Sequence, residues 1–428
     1  MTAAAPGVPA DFPDAHFGGG HPYPLYERIH AARGPVRHPS GGYWVVGTHA
    51  EVHAALTRPD LFRSRDGVLL SEIGHSYDAP PTIMHTDPPE HTRYRALVAP
   101  AFRPSVMRRL EDAVRERIGA LLDPVTPDRP FDVVAELAVP LPLQVICLLL
   151  GVPETDWARF HLWSEAIVPG AAPELAEEER GALAAECARY LIGVAHERRA
   201  DPRDDVISRL ALAAPDGDRL TDTELAMFLI QLLVAGNETT RHAISGGLLA
   251  LAGHPGQWAA LRAGAAGATA GGGDAGGGDT GSGDAGPLPG AVEELLRWTS
   301  PVVYFLRTAT RPVTLGGAEI AAGDRLMLLY GAANRDPAAF GPDAGRFDIA
   351  RRPAVTGLAF GFGPHFCLGA ALARMELGLL LAEMAARYER IETAGEPVHT
   401  GSTVVTGLRR CPLVVRRGRT PPARPDAC

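Results

Sequence analysis

The chain has 428 residues, 46% of them hydrophobic and 21% charged, long enough to bury a sizeable core. Its net charge of −9 argues against a general nucleic-acid binder, because no overall basic field would gather phosphates. The five cysteines (Cys147, Cys187, Cys367, Cys411 and Cys428) show no CxxC and no framework spacing, which suggests a reducing compartment without structural disulfides.

Residues 1–21 are rich in Ala, Pro and Gly, carry no leader-like segment, and read as a flexible N-terminus. The longest apolar stretch, Leu225 to Ala235, is interrupted by Gln231 and too short to span a bilayer. The expectation is a cytoplasmic protein with no membrane anchor. Leu25 to Arg33 reads as a short helix, and Val36 to Gly47 as a hairpin around Ser40-Gly41-Gly42. Asp66 to Ile83 is turn-rich, and its Val68, Leu69, Leu70 and Ile73 either line a pocket or pack in the core.

Pro88-Pro89 fits a helix entry, with Asp87 as candidate cap and Glu90 in the first turn. His91 and Arg95 then share one helical face, suited to gripping carboxylates or to facing solvent. Arg103, Arg108, Arg109, Arg115 and Arg117 follow as a docking face or a solvated one. Pro130 to Ala214 is expected to be helical, with a turn at Gly151.

Thr221-Asp-Thr-Glu224 is a capping box that announces a helix running to about Ala252. Gly236 in its interior costs about 1 kcal/mol relative to alanine. Glu238, Thr239 and Thr240 directly follow it. That pattern fits either a widened stretch admitting a small ligand or a polar contact with a neighbouring element. Residues 263–289 are glycine-dense, and such composition cannot offset its ordering entropy, so a flexible loop insertion is expected. Glu294 and Arg297 lie three apart on a following helix, but the same ExxR spelling recurs elsewhere and identifies nothing alone. Ser300 to Thr310 reads as a strand, with Val302, Val303 and Phe305 as pocket or core residues. Gly401 to Leu408 reads as a hairpin carrying Val404 and Val405, and residues 417–428 form a polar tail.

The densest signal is Ala359 to Glu376, where Gly361, Gly363 and Pro364 disfavour regular structure and deliver Cys367 to a helix start. The positive end of a helix favours a thiolate, a soft metal ligand. The plain alternative is a buried cysteine in a turn.

The spelling Phe-Gly-x-Gly-x-His-x-Cys-x-Gly, from Phe360 to Gly369, resembles the haem-binding loop of the cytochrome P450 monooxygenases. Ala235-Gly-Asn-Glu-Thr-Thr resembles that family's oxygen-binding groove, and Ala-Val-Glu-Glu-Leu-Leu-Arg its ExxR helix. The resemblance extends from about Pro22 to Arg416 and implies a mainly α fold, a helical single domain (22–416) with a small β-rich region. It implies haem b as cofactor, with Cys367 as the ligand of its iron. It further implies that His91, Arg95, Arg307 and His365 hold the propionates, that Phe360 shields the sulfur, and that Gly369 lets the backbone pass close to the ring. Ala235 and Gly236 are implied to face the haem, Thr239 to hydrogen-bond oxygen species at the iron, and Glu238 to help relay protons. Glu294, Arg297 and Arg346 are implied to brace the haem loop. Val302, Val303, Phe305, Val404 and Val405 fall where substrate lies in the family.

The implied reaction is monooxygenation of a hydrophobic small molecule by O2. Electrons come from NAD(P)H through ferredoxin reductase and ferredoxin, to what is expected to be a monomer. A peroxide-driven or oxidative-coupling enzyme, or a non-catalytic haem-binding sensor, are the alternatives.

Overall fold

The computed structural model describes residues 7–74, 82–168, 171–172, 174–213, 219–270 and 287–417. The expectations for residues 1–6, 75–81, 271–286 and 418–428 lie outside these.

A helix of 32 residues, Asp222–Gly253, runs through the middle of the main core. Its start is the expected capping box: Thr221 Oγ1 accepts from Glu224 N at 3.2 Å, and Glu224 Oε2 accepts from Thr221 N at 2.8 Å. Such a cap contributes about 1 kcal/mol. Leu225, Phe228, Leu229 and Leu233 are buried along its first half, and Ile244, Leu248 and Leu251 along its second. This spacing of three and four places them on the faces that meet neighbouring helices. Those neighbours are Pro140–Leu150, Glu177–Ala200 and Pro287–Thr299. Close approach is built into the sequence at Gly247, where a Cβ would stand 2.5 Å from Leu295 Cδ2. The helix runs unbroken through Gly236, where widening was one of the two expectations. A side chain at Gly236 would run into Ile146, so this glycine lets the helix Pro140–Leu150 pack closely.

A five-stranded sheet flanks the helices in the order Val36–Arg37, Trp44–Val46, Arg325–Leu329, Tyr304–Ala309, Phe62–Arg63. Met327 pairs with Val45 in parallel and with Leu306 in antiparallel register. The C-terminal hairpin pairs Val398–His399 with Leu408–Arg410, and three further strands form a small separate sheet. One of them, Pro130–Asp132, opens the segment expected to be wholly helical. The chain is therefore mainly helical with small β regions, as the sequence implies.

One expectation about a mobile segment needs correction. Residues 7–21 pack against the sheet: Val8, Phe12 and Phe17 are buried with Tyr26, Val45 and Leu306. Tyr43 Oη donates to the Phe12 carbonyl at 3.0 Å, and His21 bonds the Thr299 carbonyl at 2.7 Å. Two phenylalanines inside a Pro/Gly-rich stretch supply enough apolar surface to hold it. Of the glycine-dense stretch, residues 263–270 and 287–289 belong to the helices Pro255–Ala270 and Pro287–Thr299, and the expectation for the remainder lies outside the described residues.

The helix Pro287–Thr299 is locked to the segments before the cysteine loop by one buried guanidinium. Arg297 donates five hydrogen bonds: two to the Glu294 carboxylate, and one each to the carbonyls of Asn334, Ala344 and Arg346. Every N–H of the group is used, which offsets the desolvation of a buried charge. The second arginine of this cluster is Arg351 and not Arg346. Arg351 Nε lies 3.4 Å from Glu294 Oε2, whereas Arg346 is exposed and contributes its carbonyl. The chain turns between the two, with Asp348 N donating to Glu294 Oε1 at 2.8 Å, and that turn aims the later arginine inward.

Denaturant unfolding of purified holoprotein checks this assignment. Arg346→Ala is expected to change stability by no more than about 0.5 kcal/mol. Arg351→Ala should cost about 1–3 kcal/mol, and Glu294→Ala about 3–5 kcal/mol because it strands a buried arginine.

Candidate haem-thiolate site

The loop before the helix Ala370–Arg387 is shaped by its glycines. Gly361 and Gly363 both take φ of 67°, the left-handed region that glycine enters without strain. A side chain at Gly363 would also overlap the Leu56 carbonyl. Gly361 N donates to Leu358 O at 2.9 Å, Phe366 N to Gly363 O at 3.0 Å, and Cys367 N to Phe360 O at 2.9 Å. These bonds close the loop on itself and fix the cysteine. Residues 359–369 are half-buried between the buried Leu358 and Ala370, so the loop presents one face to open space inside the fold. Phe360 and Phe366 flank the sulfur's residue with ring centroids 6.3 Å apart, and the Arg374 guanidinium sits 4.6 Å from the Phe360 centroid.

The helix begins three residues after Cys367, at Ala370, which weakens the helix-end effect expected from sequence. Burial pushes the Cys367 thiol up, while the Gly369 amide and the charges of Arg95 and Arg374 oppose that shift. A bound metal cation would reverse the balance, because a coordinating thiol loses its proton. Among the described residues, no three His, Cys, Asp or Glu side chains gather as a metal site. A lone thiolate therefore suits a metal that brings its other ligands with it, as haem iron does.

Beside the cysteine the fold collects positive charge. His91 is 2% exposed, and its Nε2 is buried with no hydrogen-bond partner among the described residues. Its ring centroid lies 4.2 Å from that of His365, whose Nε2 is 3.2 Å from Ser64 Oγ. Arg307 is 4% exposed, and its Nη1 donates to the Leu306 carbonyl at 2.8 Å. Arg95 is half-buried.

Burial and the surrounding Arg307, His91 and Arg95 push the His365 pKa down to about 2. Burial, followed by Arg95, likewise keeps the His91 ring neutral. The nearest acid, Asp87, is already taken by the amides of Ser64 and Arg65 and by the Arg65 side chain. Among the described residues this donor set has no free anionic partner, and two carboxylates would satisfy it. The propionates of haem fit that requirement.

The central helix supplies a second wall. Ala235 is exposed and Thr239 half-buried in the middle of an otherwise buried helix, one turn apart on the same face. Thr239 Oγ1 donates back to the Ala235 carbonyl at 2.9 Å. Glu238 points elsewhere: its Oε1 accepts from Arg241 and, at 2.9 Å, from His242 Nε2. Burial would push this carboxyl up, but the His242 hydrogen bond and the charges around it hold it well below the carboxylate range. Its other oxygen, Oε2, is buried without a partner among the described residues.

The expected pocket residues divide between wall and core. Val302 is half-buried and bridges Val405, and Val303 N donates to the Val404 carbonyl at 2.9 Å. Phe305 is half-buried near Tyr330. Val303 itself is wholly buried among Leu25, Tyr26 and Leu329, so its side chain packs the core instead of lining a pocket. Its neighbour Val302 turns the opposite way, as alternation along an extended segment requires.

The arginine run after His91 is largely matched by acids. Arg109 pairs with Asp204, Arg115 with Glu111, and Arg117 with Glu154. Exposed pairs of this kind contribute about 0–1 kcal/mol each.

Two further residues support the site through partners distant in sequence. Asn334 donates to Ser300 Oγ and accepts from Leu358 N at the root of the cysteine loop. His85 bridges Thr82 and Glu72, whose carboxylate also accepts from the amides of Val68 and Leu69. Partners this remote in sequence leave no periodic trace.

Comparison with known proteins places this geometry. The family model described as "Cytochrome P450" matches residues 142–403. A "Putative cytochrome P450 126" of Mycobacterium tuberculosis is 39% identical, covering 98% of this chain and 100% of that protein. A "Methyl-branched lipid omega-hydroxylase" of the same species is 37% identical over 87% of this chain and 84% of its own length. The crystal structure of CYP108D1 from Novosphingobium aromaticivorans superposes with a TM-score of 0.81 and 32% identity, covering 96% of this chain and 100% of that one. The chain belongs to the cytochrome P450 family of haem-dependent monooxygenases. No helix among the described residues is long and apolar enough to cross a membrane.

One buried acid on the cysteine's helix makes stability depend on pH. Glu376 is buried, its Oε2 has no partner among the described residues, and burial raises its pKa to about 8. Because the folded value lies above the unfolded one, the folded state holds the extra proton. Stability should therefore fall as pH rises from the ordinary carboxylate range to about 8. Thermal melts from pH 5 to about 9 should show Glu376→Gln flattening this slope and raising the midpoint most at the alkaline end.

Proposed function

We propose that the protein inserts one oxygen atom from O2 into a hydrophobic small molecule, by hydroxylation or epoxidation. The observation that carries this reading is the pairing of a lone Cys367 with a rim of basic side chains that finds no free anion among the described residues. When bound, haem supplies dioxygen activation, and a thiolate ligand favours O–O cleavage. His91, Arg95, Arg307 and His365 would hold its propionates and fix its orientation. Phe360 would keep water from the sulfur, and Gly369, lacking a side chain, would let the backbone pass close to the group.

On the opposite side, Ala235 would leave room over the ring, while Gly236 turns its open face to Ile146. Thr239 offers a hydroxyl that can release the Ala235 carbonyl and turn to a guest. Glu238 stays ionised, so it orients water and passes protons on without storing one at neutral pH. Val302, Phe305, Val404 and Val405 present an apolar surface on which a hydrocarbon portion can lie. The lipid hydroxylase among the relatives supports a long or branched aliphatic substrate.

No flavin-binding or iron–sulfur motif is evident in this sequence, so electrons are drawn from NAD(P)H through a ferredoxin reductase and a ferredoxin. With three of its arginines already matched by acids, the surface after His91 offers such a partner little free charge beyond Arg103 and Arg108.

Carbon monoxide difference spectroscopy on the reduced protein tests the reading. A Soret band at the red-shifted thiolate position is expected, and Cys367→Ser should abolish it while His91→Ala lowers the haem content. Absence of that band in the wild type would sink the proposal. A separate expectation concerns Thr239→Ala, which should lower product formed per NAD(P)H by about an order of magnitude with the spectrum unchanged.

A further inference from the structure

His242 is placed to join two parts of the site that the mechanism above treats separately. It lies on the central helix one turn beyond Glu238, fully buried, with both ring nitrogens engaged. Its Nε2 lies 2.9 Å from Glu238 Oε1. Its Nδ1 accepts from the backbone N–H of Leu408 at 3.3 Å. Because an amide donates to Nδ1, that nitrogen bears no proton, and the Nε2 proton is directed at the carboxylate. Burial and the neighbouring Arg241 outweigh the pull of Glu238 and keep the ring neutral. Gly407 is part of the arrangement, since a side chain there would overlap the imidazole.

Leu408 is the first residue of a hairpin strand, and the residues just before it form the apolar wall. Backbone bonds tie that wall to the segment leading into the strand Tyr304–Ala309. Val303 N donates to Val404 O at 2.9 Å, and Thr406 N to Pro301 O at 2.8 Å. The route from the wall to the acid is therefore short: Val404 and Val405, Gly407, the Leu408 amide, the His242 ring, the Glu238 carboxylate. A rigid ring transmits displacement with little slack, because its two nitrogens move as one body.

We propose that His242 is a positioning residue that couples the hairpin wall to Glu238, so that a guest seated against Val404 and Val405 sets the orientation of the carboxylate. The assignment rests on the oxygenase reading for its meaning. The mechanical link itself does not. His242 touches neither substrate nor haem and acts through its two partners.

Two substitutions divide the ring's functions. His242→Asn keeps an acceptor near the Nδ1 position and loses the bond to Glu238. His242→Gln keeps a donor near the Nε2 position and loses the bond to Leu408. Amide hydrogen exchange on the haem-loaded protein should show Leu408 exchanging about tenfold faster in His242→Gln, and near the wild-type rate in His242→Asn. With dodecanoic acid as the probe, redox partners and NAD(P)H, His242→Gln should raise KM with kcat largely kept. His242→Asn should lower kcat and the product formed per NAD(P)H with KM largely kept.

Unchanged Leu408 exchange in His242→Gln would overturn the link, as would parallel changes of KM and kcat in the two variants. If wild-type protein lacks the thiolate band or leaves dodecanoic acid unoxidised, the oxygenase reading or its substrate class fails. The exchange measurement then still decides whether the ring joins hairpin and acid.

Discussion

The position of the cysteine depends on a guanidinium that never approaches it. Arg297 spends all five of its N–H groups inside the protein, and one of them holds the Asn334 carbonyl. The Asn334 side chain then accepts from Leu358 N at 2.6 Å. The Leu358 carbonyl accepts from Gly361, and the Phe360 carbonyl from Cys367. The cysteine's position is thus set by a relay of hydrogen bonds that begins on a helix packed against the central one. Buried hydrogen bonds contribute modestly when made but are expensive to break, so such a relay is stiff without adding much stability.

Charge is handled differently on the two sides of the site. Around His91, Arg95, Arg307 and His365 the fold concentrates donors and keeps Asp87 occupied elsewhere. Around Glu238 it does the reverse, matching a buried carboxylate with Arg241 and His242, while Arg241 also bonds Glu165. The first arrangement finds no free anion among the described residues, and anions from outside the chain would complete it. The second is nearly complete in itself, with one carboxylate oxygen left over for water. That contrast fits the separation of a binding rim from a proton-handling wall.

Local chemistry was the part readable from sequence. The capping box of Thr221 and Glu224, the glycines around Cys367 and the helical spacing of His91 and Arg95 all act over a few residues, and each appears where its pattern predicts. What escaped depends on partners far along the chain. Arg351 and not Arg346 reaches Glu294 because of a turn at Asp348 that no spacing rule encodes. Val303 points into the core because strand alternation resumes one residue earlier than its apolar run suggests. Residues 7–21 are held by Phe12 and Phe17, two side chains diluted in Pro and Gly. The surroundings of His242 likewise depend on the folded hairpin, which brings the Leu408 amide to its ring.

The unmatched cationic rim also bears on how the protein is made. Basic groups held away from water without counter-charges oppose folding, and propionates bound at this rim would offset that cost. Any ligand that binds only the folded state stabilises it in proportion to the logarithm of its free concentration over its dissociation constant. For this chain the haem supply of the cell therefore enters the folding equilibrium directly. Cells short of haem should accumulate less of the protein, through clearance of unfolded chains, before any question of activity arises.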